Sequence, residues 1–184
     1  MDNPAVTTSP SSVSADHVGR PSLVHLLTFD VGGRRFALRA ELLREVVRAV
    51  AIAPLPKAPP IVEGVINVRG AITPTLDIRR RFGLPPTPVA PDQHLLIAEA
   101  GGRVVALRVD QAVAFMSVEA AAIASAAEVA PGAEYVAGVA KLPDGLMVIH
   151  DLDRFLSLEE AGQVDAAMDG TTTPGRPARR TDPS

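Results

Sequence analysis

Residues 25–39 (HLLTFDVGGRRFALR) and 94–108 (HLLIAEAGGRVVALR) are two versions of one segment, with nine of fifteen positions identical at an offset of 69. The likeness returns at an offset of 74, where Gly64-Val65 matches Gly138-Val139 and Asp77-Ile78-Arg79-Arg80 matches Asp151-Leu152-Asp153-Arg154. The 184-residue chain therefore reads as two similar halves, about 23–83 and 92–158, with a few extra residues in the second.

Each copy centres on Gly-Gly, a favoured two-residue hairpin turn because both central residues of a type I′ turn need positive φ. Placing Gly32-Gly33 at the turn pairs Val31 with Arg34, Asp30 with Arg35, Phe29 with Phe36 and Leu27 with Leu38. Alternation then puts Leu27, Phe29, Phe36 and Leu38 on one face, with Asp30 opposite Arg35 on the other. The hairpin around Gly101-Gly102 passes the same test, pairing Ala98 with Val105 and Leu96 with Leu107. Pro54, Pro56, Pro59 and Pro60 forbid a long helix before Ile61. Residues 61–68, 71–76, 104–109, 112–116, 135–140 and 146–150 read as further strands. Asp77 is placed as the cap of a short helix that holds Arg79, Arg80 and Arg81 on a solvated face. Ser117 is expected to cap a helical turn through Ile123, and Asp151 to cap a C-terminal helix. Pro85, Pro86, Pro88 and Pro91 make a linker between the halves. The fold is mostly β, and many short strands in two units point to two small barrels.

Composition sets the limits. Hydrophobic residues are 47% and charged ones 21%, which is that of a folded soluble domain. Residues 1–22 and about 163–184, rich in Ser, Thr, Pro and Ala, are expected to be disordered tails, with residues 159–184 holding the end of the C-terminal helix before the tail. Arg176, Arg179 and Arg180 are read as part of a solvated tail. A net charge of −3 and one Tyr, five Phe and no Trp give no electrostatic or stacking basis for nucleic acid. No uncharged run between Arg20 and Glu160 exceeds 10 residues, so no membrane insertion is expected. The N-terminal stretch lacks a basic start followed by an apolar run, so it is not read as a secretory signal. With no cysteine there is no disulfide, thiolate nucleophile or Cys-based zinc site, which fits a reducing compartment. No nucleophile elbow, phosphate loop or dinucleotide fingerprint occurs, so no catalytic residue, metal or cofactor is assigned. His25 and His94 hold equivalent strand positions without a second ligand at a useful spacing. His150 with Asp151 and Asp153 is the one arrangement that keeps a small metal-dependent enzyme as a distant alternative.

Several segments, in order, resemble the CheW family of chemotaxis coupling proteins. They are residues 36–47 leading into Glu45-Val46, Gly64-Val65-Ile66-Asn67-Val68-Arg69-Gly70, Ile72-Thr73-Pro74-Thr75-Leu76-Asp77-Ile78-Arg79, Val109-Asp110, and the closing strands at Tyr135–Gly138 and 146–149. The resemblance covers about Leu23 to Leu158. It implies a domain of two five-stranded SH3-like barrels with short helices and a C-terminal helix. It implies a scaffold, not an enzyme, that couples the cytoplasmic hairpin tips of chemoreceptors to the regulatory domain of a CheA-type histidine kinase. It also implies a cytoplasmic location at membrane-associated receptor arrays, with other CheW-like domains as ring neighbours. Carried over position by position, it assigns partner contact to Leu43, Glu45, Val46, Gly64, Val65, Asn67 and Arg69, with Gly64 allowing close approach of a partner and Arg69 either pinning its loop by hydrogen bonds or pairing with a receptor carboxylate. Asp77 and Asp151 remain helix caps. Val47, Val68, Ala114 and Pro143 depart from the family pattern. These departures keep open a related adaptor of a paralogous chemosensory pathway with a non-swimming output.

Overall fold

The computed structural model describes residues 22–129, 133–143 and 145–171. Of the tails expected at 1–22 and about 163–184, residues 1–21 and 172–184, with Arg176, Arg179 and Arg180, lie outside the described residues. Eleven strands are present: β1 (Leu23–Val31), β2 (Arg34–Arg39), β3 (Leu43–Arg48), β4 (Val62–Val68), β5 (Ala71–Asp77), β6 (His94–Ala100), β7 (Arg103–Val109), β8 (Gln111–Glu119), β9 (Ile123–Ser125), β10 (Val136–Leu142) and β11 (Gly145–His150). Helix α1 is the single turn Ala126–Val129, and α2 spans Leu158–Thr171.

Both hairpins form in the expected register. Phe29 faces Phe36 and Leu27 faces Leu38 in one, while Ala98 faces Val105 and Leu96 faces Leu107 in the other. All four turn glycines have positive φ, between 57° and 77°. Asp30 and Arg35 form an ion pair at 2.9 Å on the opposite face.

The hairpins do not stay with their own halves. One sheet runs β8-β1-β2-β11-β10-β9, the other β3-β6-β7-β5-β4. The opening hairpin of each repeat thus joins the closing strands of the other. The two parallel joints fall at equivalent positions, Ala37 against Ile149 and Ala106 against Thr75. Each sheet closes on itself. The chain passes from β8 through Ala120–Ala122 into β9 at the far edge of the first sheet, and from β3 to Ala53, which bridges Val65 of β4 in the second. The result is two barrels, barrel 1 (β1, β2, β8–β11) and barrel 2 (β3–β7).

Three apolar clusters follow from strand alternation. Leu26, Ala37, Met147 and Ile149 fill barrel 1, and Ile66, Leu95, Ile97 and Ala106 fill barrel 2. The largest lies between them. Leu27, Phe29 and Leu38 on one sheet meet Leu96, Val105 and Leu107 on the other. The predicted apolar face of the hairpins is therefore the inter-barrel core.

Three local expectations change. Ser117 caps nothing. β8 continues to Glu119, and the Ser117 hydroxyl lies 2.8 Å from His25 Nδ1 on the paired strand. The arginine run is not a solvated face, because the segment after Asp77 is a series of turns that buries Arg79 and half-buries Arg81. Arg79 pairs with Asp110, and Arg81 donates to the Phe155 carbonyl and to Glu160, leaving Arg80 exposed. The C-terminal helix is split. Asp151 caps the short turn Leu152–Arg154, accepting from the Asp153 N–H at 3.1 Å. A second start follows at Ser157. Its hydroxyl accepts from the Glu160 N–H while Glu160 accepts from the Ser157 N–H, a reciprocal capping box. Helix α2 then runs past residue 163, because Val164 and Ala167 are buried in the inter-barrel core with Met168 beside them.

Candidate partner-binding face

Two residues singled out in the sequence, 24 positions apart, meet in space. Glu45 sits on β3 opposite Ile97, just past a bulge between Leu43 and Glu45. Arg69 occupies the two-residue turn between β4 and β5 with Gly70, where φ is 51° and 91°. A left-handed arginine costs energy that an isolated turn would not retain. Here the turn is held twice. The Asn67 side-chain oxygen accepts from the Gly70 N–H at 2.7 Å. The Arg69 guanidinium meets Glu45 with both prongs, Nε to Oε1 at 3.1 Å and Nη2 to Oε2 at 2.8 Å. Of the two roles expected of Arg69, this contact is the loop lock: the carboxylate it meets is Glu45 of its own chain.

The clamp lies across the open mouth of barrel 2. On one side is a hollow of about 340 Å³ walled by Val47, Val50, Ile66 and Val68; on the other is one of about 230 Å³ walled by Val68, Ile72, Ile97 and Val104. Val50 and Ile72 are 49% and 47% exposed, large apolar side chains on the rim. Arg69 is 80% exposed while Glu45 is 24% exposed. The hydrogen bond and charge of Glu45 push the Arg69 pKa further up, so the guanidinium is cationic at every physiological pH. An ion pair this exposed adds little to stability. Its chemical use is as a paired, addressable charge between two apolar hollows, a combination that gives both affinity and register.

The other assigned positions divide. Leu43 and Val46 are half-buried and pack toward the inter-barrel core, on the side of β3 away from Glu45. Val65 is buried in that core. Gly64 does permit a close approach, but by its own chain: a Cβ there would lie 2.2 Å from the Ala53 carbonyl oxygen. Gly138 repeats the arrangement against the Ala124 carbonyl at 2.7 Å. Both glycines are where barrel closure requires the closing segment to cross. Asp77 is buried, accepting from the Arg79 N–H at 3.2 Å, with its second oxygen 3.5 Å from Arg108. His150, Asp151 and Asp153 do not converge. His150 Nδ1 contacts the Tyr135 carbonyl, Asp151 pairs with Arg154, and Asp153 accepts from the Gly101 N–H.

The repeat exposes an asymmetry. Ala114 pairs with Thr28 as Glu45 pairs with Ile97, and Pro143 stands at the position of Arg69. Barrel 1 therefore has no equivalent clamp. Its most exposed large apolar residues among those described are Phe115 at 65% and Leu146 at 74%, the latter equivalent to Ile72. The sequence reading did not single out Val50, Ile72, Phe115 or Leu146. For Ile72 and Leu146 the signal was available, since the 74-residue offset aligns them at the start of hairpin-return strands.

Two interlocked barrels around a common core, with a clamped and partly apolar mouth, define a protein that works by docking. Residues 25–160 match the model of the CheW-like domain, and the chain belongs to that family. The chemotaxis protein CheW of Klebsiella aerogenes is 26% identical over 157 residues, 84% of this chain and 92% of that protein. CheW of Rhizobium meliloti is 29% identical over 137 residues, 73% of this chain and 88% of that one. The crystal structure of the scaffolding protein TtCheW from Thermoanaerobacter tengcongensis superposes with a TM-score of 0.65 at 28% identity, covering 72% of this chain and 90% of that one. The family gives the chain a scaffold or adaptor role in chemotaxis. No helix among the described residues is long and apolar enough to cross a membrane.

Proposed function

We propose that this protein couples the cytoplasmic tips of chemoreceptors to the regulatory domain of a CheA-type histidine kinase. On this reading it acts in the cytoplasm at receptor arrays, without turnover of any substrate, with other CheW-like domains as further ring partners. The observation that carries the reading is the Glu45–Arg69 clamp across the mouth of barrel 2, flanked by exposed Val50 and Ile72. Glu45, Arg69 and Asn67 form the polar centre of the contact. Leu43, Val46, Gly64 and Val65 lie behind this face, against the inter-barrel core and the closing segment, and serve the contact by holding β3 and β4 in place. The related reading, an adaptor in a parallel pathway with a different output, draws on a match to protein FrzA of Myxococcus xanthus, 32% identical over 82 residues.

The test is titration calorimetry against the regulatory domain of a CheA-type kinase from the same genome. Wild type, Glu45→Lys and Arg69→Ala are compared, each checked for folding by circular dichroism. Saturable binding by wild type that weakens at least about tenfold in a folded Glu45→Lys is the expected result, since a lost interfacial charge contact costs roughly 1.4 kcal/mol or more. Equal binding by wild type and Glu45→Lys moves the kinase contact off this mouth. No binding by wild type removes the coupling role and leaves the parallel-pathway adaptor.

A further inference from the structure

His150 ends β11 where barrel 1, barrel 2 and the C-terminal arm meet, and docking makes no use of it. The residue is 5% exposed. Its Nδ1 lies 2.8 Å from the Tyr135 carbonyl oxygen. A carbonyl only accepts, so Nδ1 carries the proton and the neutral ring presents a bare Nε2. That Nε2 is buried without a hydrogen-bond partner among the described residues. Around the ring stand Phe36 of β2, Phe82 of the turn after β5, and Phe155 of the arm, with ring centroids at 5.0, 4.8 and 5.8 Å. Each of the three bodies contributes one phenylalanine.

The charged groups on the surrounding elements are engaged elsewhere or exposed. Arg35, next to Phe36, pairs with Asp30. On the turn carrying Phe82, Arg79 pairs with Asp110, Arg80 is exposed, and Arg81 bonds the Phe155 carbonyl and Glu160 while lying over the Tyr135 ring. On the arm, Asp151 pairs with Arg154 and Asp153 accepts from Gly101. Beside Tyr135, Glu134 is exposed. No acceptor reaches Nε2. A second proton would set an unpartnered N–H and a full charge among hydrocarbon rings. Burial accordingly holds the imidazole pKa below its ordinary value, and the bond to Tyr135 opposes this only in part.

We propose that His150 is an acid-sensitive latch: neutral, it seats the arm formed by residues 152–171 across both barrels, and protonated, it releases that arm. Release uncovers apolar surface, because Leu152, Phe155, Val164 and Ala167 belong to the inter-barrel core. The tie through Glu160 does not titrate in the same range. Burial raises the Glu160 carboxyl, but the Ser157 N–H and Arg81 outweigh it and bring the pKa below the usual carboxylate range. Arg103 to Asp165 is a further ion pair. The released histidine titrates at its ordinary value of about 6.5, and the docked one lower. The latch is therefore fully closed above about pH 6.5 and opens as pH falls toward the docked value.

The inference stands independently of the coupling role, and the test uses the full chain. Hydrogen exchange is followed from pH 7.5 to 5.5, corrected for intrinsic rates, in wild type, His150→Phe and His150→Gln. In wild type the open population of α2 rises up to about tenfold per pH unit below about 6.5, the slope of one bound proton, while β6 stays protected. Both variants lose that slope, whatever their baseline protection. An unchanged slope in the variants, or loss of α2 and β6 protection together, overturns the proposal. So does protection that grows with acid, which would mean that the aromatic faces hold the imidazolium. A proton NMR titration of wild-type His150 needs no variant, and a pKa at or above about 6.5 overturns it as well.

Discussion

Gly64 shows how a residue can be flagged for the wrong neighbour. The sequence marks it as a place of close approach, and so it is, but the approaching group is the Ala53 carbonyl of the closing segment. A Cβ at 2.2 Å from that oxygen, on a backbone with φ of 157°, cannot be absorbed by a side-chain shift. Gly64→Ala is expected to destabilise by at least about 2 kcal/mol, from overpacking together with backbone strain. Gly33→Ala meets nothing within 4 Å and has only its φ of 74° to overcome, so a cost of about 1 kcal/mol is expected. Urea unfolding of the two variants checks the order, and equal midpoints would show that β4 yields at this crossing. Glu45 and Arg69 are the converse case. Each was legible alone, from its place in a resembling motif. Their pairing was not, because it depends on how the β4–β5 turn lies against β3, a fact of barrel closure rather than of local pattern. Arg79 and Arg81 fail for the same reason, since their partners Asp110 and Glu160 are 31 and 79 positions away.

At the scale of elements, hairpins were the most legible part and helix ends the least. A Gly-Gly turn fixes its own register, so Phe29 opposite Phe36 and Leu96 opposite Leu107 followed from the sequence alone. Helix α2 carries no such marker. Gly162, Gly170 and a polar, alanine-rich surface make residues 163–171 read as tail, and only the inter-barrel core gives Val164 and Ala167 a reason to be helical. The box formed by Ser157 and Glu160 is its local anchor. Ser157→Ala removes the hydroxyl acceptor of the Glu160 N–H and is expected to cost the helix about 1 kcal/mol. Amide exchange in α2 should then quicken about fivefold while β6 is unchanged, since the loss is local. Exchange that is unaltered in α2 would show that burial of Val164 and Ala167 alone holds it.

At the scale of the molecule the repeat and the barrels are different partitions of the chain. The sequence defines halves near 23–83 and 92–158, yet each barrel takes its opening hairpin from one half and its remaining strands from the other. Four joints tie them: the parallel pairs β2 to β11 and β5 to β7, and the antiparallel pairs β1 to β8 and β3 to β6. Neither half holds a closed barrel. The first lacks β6 and β7, which stand between β3 and β5, and the second lacks β1 and β2, which stand between β8 and β11. Each half alone would leave sheet edges unpaired and expose its side of the inter-barrel core, including Leu27, Phe29 and Leu38 or Leu96, Val105 and Leu107. A cut in the proline-rich connection between Leu84 and Gln93 is therefore expected to give two fragments that do not fold separately and that fold when mixed. Circular dichroism and proton NMR of each fragment, and of the equimolar mixture, read this directly. Dispersed spectra from the mixture alone are the expected outcome. A cooperative melt from either fragment by itself would mean that a half can close its own barrel, and that the exchange of hairpins is one of two accessible arrangements.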